Sequence, residues 1–417
     1  MSVTNIDVAV VGGGPSGSTV ATLLARQGYS VELFERDHFP RFHIGESMIP
    51  NTYFALQRSG LLEKMKSSHY VKKYSVQFVD QRGRLSEPFY FWDNKPHESS
   101  QTWQVRRSEF DKMALDHARE NGVKVHEGAR VLEVIFEGSR AVGLRVKPEN
   151  EPEREVRSRV VIDASGQSTL IIDRFGLRDW DPQLKKAALW TYWKGAYRDT
   201  GRDEGATIVI QTEGKKGWFW YIPLHDDIVS VGVVADHDYL FKNRASKDYE
   251  TIYFEEVAKA PGVQPRIKDA TRCDIFRAQK EYSYRARKAA GDGWCLVGDA
   301  FGFLDPLYSS GLLLALTSAS MAADSIGAGL ASGDTSEAQL RKWEAPYLQG
   351  MDRIRRLVCE FYDGLSFGRF VKKHPHLKGL VTDVLIGDVF KDDVDVLWPL
   401  MDELRAEQGI GRYEPAA

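Results

Sequence analysis

Cysteine is scarce: the 417 residues contain three, Cys273, Cys295 and Cys359, far apart and in no C-x-x-C spacing. That excludes a disulfide framework and offers no zinc-site pattern, so no metal is expected and a reducing cytoplasm fits best. An excess of either charge is also missing. Lys+Arg number 56 against 59 Asp+Glu, a net charge of −3, which predicts no general affinity for polyanions and no nucleic-acid partner. No uninterrupted apolar run approaches 18 residues, and Met1 to Asp7 lacks a basic segment leading into an apolar one. A cytoplasmic protein without a membrane span is therefore expected. Internal repeats and low-complexity tracts are absent as well. What is present is 42% hydrophobic residues, enough for a large core or two ordinary ones.

The amino-terminal segment carries the first chemistry. Ile6 to Val11 is a short run of β-favouring residues, followed by Gly12-Gly13-Gly14-Pro15-Ser16-Gly17 and a helical pattern from Ser18 to Gln27. A second strand, Ser30 to Phe34, ends in Glu35, eighteen residues after Gly17. Strand, glycine turn, helix and a spaced acid together make a dinucleotide site: Gly12, Gly14 and Gly17 with Ser16 let a pyrophosphate approach a helix amino terminus, and Glu35 accepts hydrogen bonds from a ribose. The fingerprint alone leaves FAD and NAD both open. Trp294 to Val297 reads as a buried strand ending in Gly298-Asp299-Ala300, with Asp299 at the carboxyl end where open α/β sheets bind ligands. Beyond it, Phe303-x-Asp305-Pro306 leads to Ser309-Ser310-Gly311, which opens an apolar helix from Leu312 to Leu330. Such a helix start can hold an anion or a flavin carbonyl edge. The loop from Arg41 to Pro50, including Ser47, is expected to run beside the cofactor, with His43 a packing or hydrogen-bonding histidine.

Mid-chain lies Trp218-Phe219-Trp220-Tyr221-Ile222-Pro223. In an extended segment Trp218 and Trp220 share one face and Phe219 and Tyr221 the other, so the indoles make either a core face or a rigid wall. Val71 to Phe78 also reads as extended, and its adjacent Lys72 and Lys73 must point opposite ways. Either could be a solvated surface lysine.

With these motifs in place the sequence resembles two nested families. Gly12–Gly17, the Val161-Ile162-Asp163-Ala164-Ser165-Gly166 strand end, Gln104-Val105-Arg106-Arg107-Ser108-Glu109-Phe110-Asp111 and Gly298-Asp299-Ala300 are similar to glutathione-reductase-like flavoproteins related to p-hydroxybenzoate hydroxylase. The likeness implies FAD, with Arg107 beside its phosphates and Asp299 and Pro306 against the cofactor. The complete W-x-W-x-I-P adds a resemblance to the flavin-dependent halogenases. Members of that family use FADH2, oxygen and chloride or bromide to make hypohalous acid at the flavin, and a lysine beside the substrate directs it onto an electron-rich ring. Counting back from Phe78 as the family's strand does lands on Lys73. Ser310 and Gly311 then correspond to the halide cradle, while Trp218, Trp220, Ile222 and Pro223 separate substrate from flavin. One departure stands out: Tyr308 occupies the position where tryptophan-specific members carry a glutamate, which points to a phenolic or pyrrolic substrate, free or tethered to a carrier protein. No second nicotinamide-binding unit is visible, so a flavin reductase is the expected partner. A flavin-dependent aromatic hydroxylase and a geranylgeranyl-reductase-like oxidoreductase share parts of this pattern.

The expected architecture is α/β. An FAD-binding domain (1–72, 104–185 and 282–334) interleaves with a substrate-side antiparallel β-sheet domain (73–103 and 186–281), and 335–417 is a helical carboxyl-terminal region.

Overall fold

The first apolar run forms the strand Thr4–Val11 in the computed structural model, which describes residues 4–242 and 244–416. It lies between two parallel neighbours, Val31–Phe34 and Arg154–Asp163, and the parallel order continues outward to Lys124–His126 on one side and Trp294–Leu296 on the other. Strands buried on both faces need continuous rather than alternating apolar sequence, and Val8, Ala9, Val10, Val160, Val161 and Ile162 are all fully buried. An antiparallel hairpin, Ala129–Glu137 with Arg140–Pro148, extends the sheet.

A second sheet of nine strands stands against the first. Along its path run Gly302–Phe303, Arg277–Ala286, Arg178–Lys194, Ile228–Asp236, Gly217–Pro223, Thr207–Gln211, Ser75–Val79 and Phe89–Tyr90. The sheet is antiparallel as expected except at one seam, where Thr207–Gln211 pairs in parallel with Ser75–Val79. The connection between those strands passes through the cofactor-side sheet, and such a long crossover permits parallel pairing where a hairpin would not. The strands Arg178–Lys194 and Arg277–Ala286 run across positions 185 and 281, and their pairing shifts register between Trp180 and Lys185. A small separate ribbon pairs Val71–Lys73 with Thr102–Gln104. Extended sequence from 71 to 78 is thus two strands interrupted at Tyr74, not one.

Helices fill the remainder, and beyond Thr335 the described chain has no strand. Among the described residues Gly311–Ser332 is the one helix long and apolar enough to cross a membrane, and 67% of its apolar window is buried inside the protein. It packs on Pro15–Arg26 and Thr52–Ser59. The carboxyl-terminal helix Glu344–Tyr362 is tied to the second sheet by Arg355, whose guanidinium donates to both carboxylate oxygens of buried Asp181.

Period-two alternation sorts the aromatic strand. Trp218, Trp220 and Ile222 face the larger core shared with the first sheet, whereas Phe219 and Tyr221 face a second core beneath the helix Tyr249–Ala258. The indoles fit because the neighbouring strand offers no side chain at Gly232, which lies opposite both Trp190 and Trp220. A Cβ there would sit 2.3 Å from Trp220 Cζ2 and 2.5 Å from Trp190 Cβ. Gly232→Ala is expected to cost about 1–3 kcal/mol through this overlap, read as a lower urea midpoint; an unchanged midpoint would show that the indoles can move aside.

Candidate active site

A cavity of about 780 Å³ opens where the carboxyl ends of the first sheet meet the tryptophan face of the second. Its floor comes from the glycine turn. The helix Pro15–Arg26 begins at Gly14 with no side-chain cap, so its first amides remain available. Gly12, Gly14 and Ser16 line the cavity. Gly17 does not; a Cβ at that position would lie 1.9 Å from the Gly12 carbonyl oxygen, so its role is to let helix and turn pack together. Glu35 stands at the edge of the floor. Its Oε2 accepts from the Gly13 amide at 2.7 Å and its Oε1 from the Asp37 amide at 2.9 Å, leaving lone pairs on both oxygens for ribose hydroxyls.

Two guanidiniums flank this turn. Arg107, near the start of its helix Arg107–Glu120, donates to both oxygens of Asp111 at 2.8 and 3.0 Å and to the Ile44 carbonyl at 2.6 Å. Arg41 reaches the same Asp111 at 3.1 Å. One fully buried carboxylate therefore serves two cavity-lining guanidiniums, with Asp37 a second, more distant partner of Arg41 at 3.9 Å, and donors of this kind beside an uncapped helix start suit a pyrophosphate. Arg41 was not marked by the sequence motifs; a lone arginine in a loop carries no spacing signal.

Across the cavity stand Asp299, Pro306 and Gly311. Burial pushes the Asp299 carboxyl up to about 6, against the pull of Arg107. Gly311 begins the 22-residue helix, which has no side-chain cap, and lines the cavity, where a Cβ would meet nothing within 4 Å. Ser310 is not among the lining residues. It is fully buried, and its hydroxyl has no hydrogen-bond partner.

Trp218, Trp220 and Ile222 form the wall facing this space. Pro223, one residue out of phase, is buried but points away from the cavity lining. The indoles are pinned at their nitrogens: Trp218 Nε1 donates to the Tyr362 hydroxyl at 2.9 Å and Trp220 Nε1 to Ser230 Oγ at 3.0 Å. Tyr362 in turn donates to Asp305 at 2.9 Å, and Asp305 accepts from the Leu307 amide at 3.0 Å, joining the wall to the turn that precedes Gly311.

Lys73 is 2% exposed, while Lys72 is exposed to solvent. The choice that sequence alternation left open is thus resolved by burial. Lys73 Nζ donates to Ser47 Oγ at 2.9 Å and to the Met48 carbonyl at 3.1 Å, with the Phe91 ring 5.7 Å away. Among ionic contacts between described residues it has no carboxylate partner, and burial pushes its pKa down to about 7. Lys73 does not line the cavity itself. Ser47 and Thr207 do, and their hydroxyls are 3.0 Å apart, so Ser47 connects the amine to the cavity wall.

Sequence motifs also passed over Glu46. It lines the cavity at 3% exposure; Oε1 accepts from the Tyr192 hydroxyl at 2.8 Å and Oε2 has no partner. Burial raises its pKa to about 7, only partly offset by the Ser230 and Tyr192 hydroxyls and the Arg107 and Arg106 guanidiniums. Tyr308 stands at the edge of Phe361, with ring centroids 6.5 Å apart, and adds no carboxylate to the turn.

The comparisons with known proteins agree with this geometry. A tryptophan halogenase family model matches residues 92–366, and an FAD-dependent oxidoreductase model matches residues 7–172. The chain is 35% identical over 352 residues to the flavin-dependent halogenase armH2 of Armillaria mellea, covering 79% of this chain and 67% of that one. It is 30% identical over 414 residues to a 1H-pyrrole-2-carbonyl-[peptidyl-carrier protein] chlorinase of Pseudomonas fluorescens, covering 94% and 91%. Among solved structures, the flavin-dependent brominase Bmp2 superposes with a TM-score of 0.85 at 29% identity, covering 97% of this chain and 100% of that one. A cavity built from a glycine turn, paired arginines and a tryptophan wall thus sits in a chain that belongs to the tryptophan halogenase family, the FAD-dependent halogenases.

Proposed function

We propose that this chain oxidises chloride or bromide on the flavin side of the Trp218–Trp220 wall and that Lys73 directs the resulting hypohalous acid onto an electron-rich phenolic or pyrrolic ring. The observation that carries this reading is Lys73 itself: a fully buried amine with no acid beside it, joined to the cavity only through Ser47. A buried lysine without an anionic partner is costly to keep charged, and such groups concentrate at reactive sites.

FAD would be held by the amides at Gly14 and Ser16, with Gly12, whose own amide donates to the Phe34 carbonyl, letting the turn pass close by; Arg107 and Arg41 would meet its phosphates, Glu35 its ribose, and Asp299 and Pro306 would stand opposite. When reduced, it supplies the two electrons that activate oxygen for attack by halide. The amide of Gly311 at the helix start, with the unpartnered Ser310 hydroxyl behind it, provides the dipolar cradle for the halide. Trp218, Trp220 and Ile222 keep an aromatic substrate from the flavin, so only a small neutral oxidant crosses. Pro223 contributes strand rigidity rather than wall surface. Lys73, behind Ser47, holds that oxidant by hydrogen bonding; because its pKa is near 7, donor and acceptor forms are both accessible near neutral pH.

The substrate class rests on two supports. Tyr308 supplies no acid to help the lysine, which suits rings reactive enough to need none. The chlorinase related along nearly the whole chain is named for a pyrrole-2-carbonyl group on a peptidyl carrier protein. A carrier-tethered pyrrole or phenol and a separate flavin reductase are accordingly the proposed partners.

Protein supplied with FAD, a flavin reductase, oxygen and bromide is expected to brominate an activated phenol or a carrier-bound pyrrole, detected as a mass shift that depends on bromide. Hydroxylated product with no halogenated product would sink this function. Lys73→Ala should oxidise reduced flavin at an undiminished rate and lose at least about 100-fold in halogenated product; persistent product would remove Lys73 from the mechanism. Trp220→Ala is expected to disturb halogenation while FAD absorbance still copurifies.

The buried Glu46 carboxyl predicts a pH signature. Its folded pKa, near 7, lies above the ordinary 4.5, so its stabilising contribution is fully present below pH 4.5 and is lost as pH rises through 7. Glu46→Gln cannot ionise, so its stability relative to the parent should rise by up to about 3 kcal/mol from pH 5 to pH 8. Urea midpoints at the two pH values measure the difference, and a constant offset would contradict the assignment.

A further inference from the structure

Outside the cavity, three side chains from distant parts of the chain converge. His69 lies in the loop between the helix Leu62–Lys66 and the ribbon strand ending at Lys73; Glu109 is in the first turn of the Arg107 helix; His225 is in the turn after the tryptophan strand. Both His69 Nε2 and His225 Nε2 approach Glu109 Oε2, at 3.1 and 3.2 Å, and the three ligand-capable atoms all lie within 4.8 Å of one another. The two imidazoles meet edge to face with centroids 4.4 Å apart.

His225 is the informative member. Its side chain is nine-tenths buried, and neither ring nitrogen has a hydrogen-bond partner. Carboxylates lie close to both nitrogens, Glu109 at Nε2 and Asp226 at 3.0 Å from Nδ1, yet at angles that make no hydrogen bond. A buried imidazole in this condition forfeits about 1–3 kcal/mol per orphaned group unless something else engages it. Ligands about 2.0–2.1 Å from a tetrahedral ion are roughly 3.3 Å from each other, close to the two measured edges. The third edge, between the two imidazoles, lies within 4.8 Å, and binding would require His69, which is exposed, to adjust.

We propose that His69, Glu109 and His225 bind a divalent transition-metal ion of the zinc class, with a fourth position left to water. Two imidazoles and one carboxylate match the borderline-soft donor set of that class and not the all-oxygen sets of magnesium or calcium. With the metal on Nε2, His225 keeps its proton on Nδ1, where the Asp226 carboxylate is placed to accept it and orient the ring. Arg106, 3.6 Å from Glu109 and 3.3 Å from Asp226, balances the added acid without occupying the ligand atoms. The ion would clamp together the segments leading to Lys73, Arg107 and the tryptophan strand. It takes no part in the redox chemistry.

The test uses FAD-loaded protein stripped with EDTA and titrated with zinc chloride by calorimetry, alongside thermal unfolding. One zinc per chain and a raised Tm are expected. His69→Asn, exposed and therefore tolerated by the fold, and Glu109→Gln should each weaken binding by at least about tenfold and abolish the Tm rise. No binding to the parent, or unchanged affinity in both variants, would overturn the site. An equal response to magnesium chloride would overturn the metal class. Flavin oxidation by the stripped parent is read separately, so a failed halogenation assay leaves this result standing.

Discussion

The tryptophan face of the cavity is held by the hydrogen-bonded chain from Trp218 through Tyr362 to Asp305. An indole wall is useful only if it stays put relative to the helix start at Gly311, and this chain joins the two. Its middle member comes from the carboxyl-terminal region, which the nucleotide fold does not need. Two residues before Tyr362, the buried Glu360 carboxylate is held by Arg356 at 2.6 Å and Arg405 at 2.7 Å. One turn earlier, Arg355 anchors the same helix to Asp181 on the second sheet. Breaking any one of these buried pairs leaves an uncompensated charge, so the helical tail acts as the buttress of the wall.

The charge distribution around the cavity divides by depth. At the glycine turn, two arginines share the buried Asp111 and present their guanidiniums to the cavity. Further in, burial dominates three ionisable groups: Glu46 near 7 and Asp299 near 6, each raised despite the pull of Arg107, and Lys73 near 7 with no charged group offsetting its desolvation. Cations at the rim can bind a doubly charged linker without further cost, while the groups near the chemistry sit close to neutrality and can exchange protons at ordinary pH. The tryptophan face lines the same cavity, and Ser47 both lines it and accepts from the lysine.

Local sequence rules went a long way here because the cofactor fold is built from local rules. A glycine turn between strand and helix is defined within about twenty residues, and all the expected cofactor contacts except Gly17 do line the cavity. Period two placed Trp218, Trp220 and Ile222 on one face, and the same parity takes Pro223 off it. The parallel seam between Ser75–Val79 and Thr207–Gln211 was not legible, since nothing in either strand states which partner it meets after a crossover of more than a hundred residues. Arg41, Glu46 and the His69–Glu109–His225 cluster escaped for a related reason: each is an ordinary residue in its own segment and becomes unusual only through its neighbours in space.

The sequence by itself determined a dinucleotide site and the face of each aromatic, because those follow from short-range backbone geometry and side-chain periodicity, while its motifs pointed to FAD and to the family by resemblance. Only the tertiary structure decided that Lys73 and not Lys72 is the buried amine, that Ser310 lies behind the cavity surface while Gly311 faces it, and that Tyr362 braces the wall. Burial and its electrostatic consequences are properties of packing between segments far apart in the chain, and no local pattern encodes them.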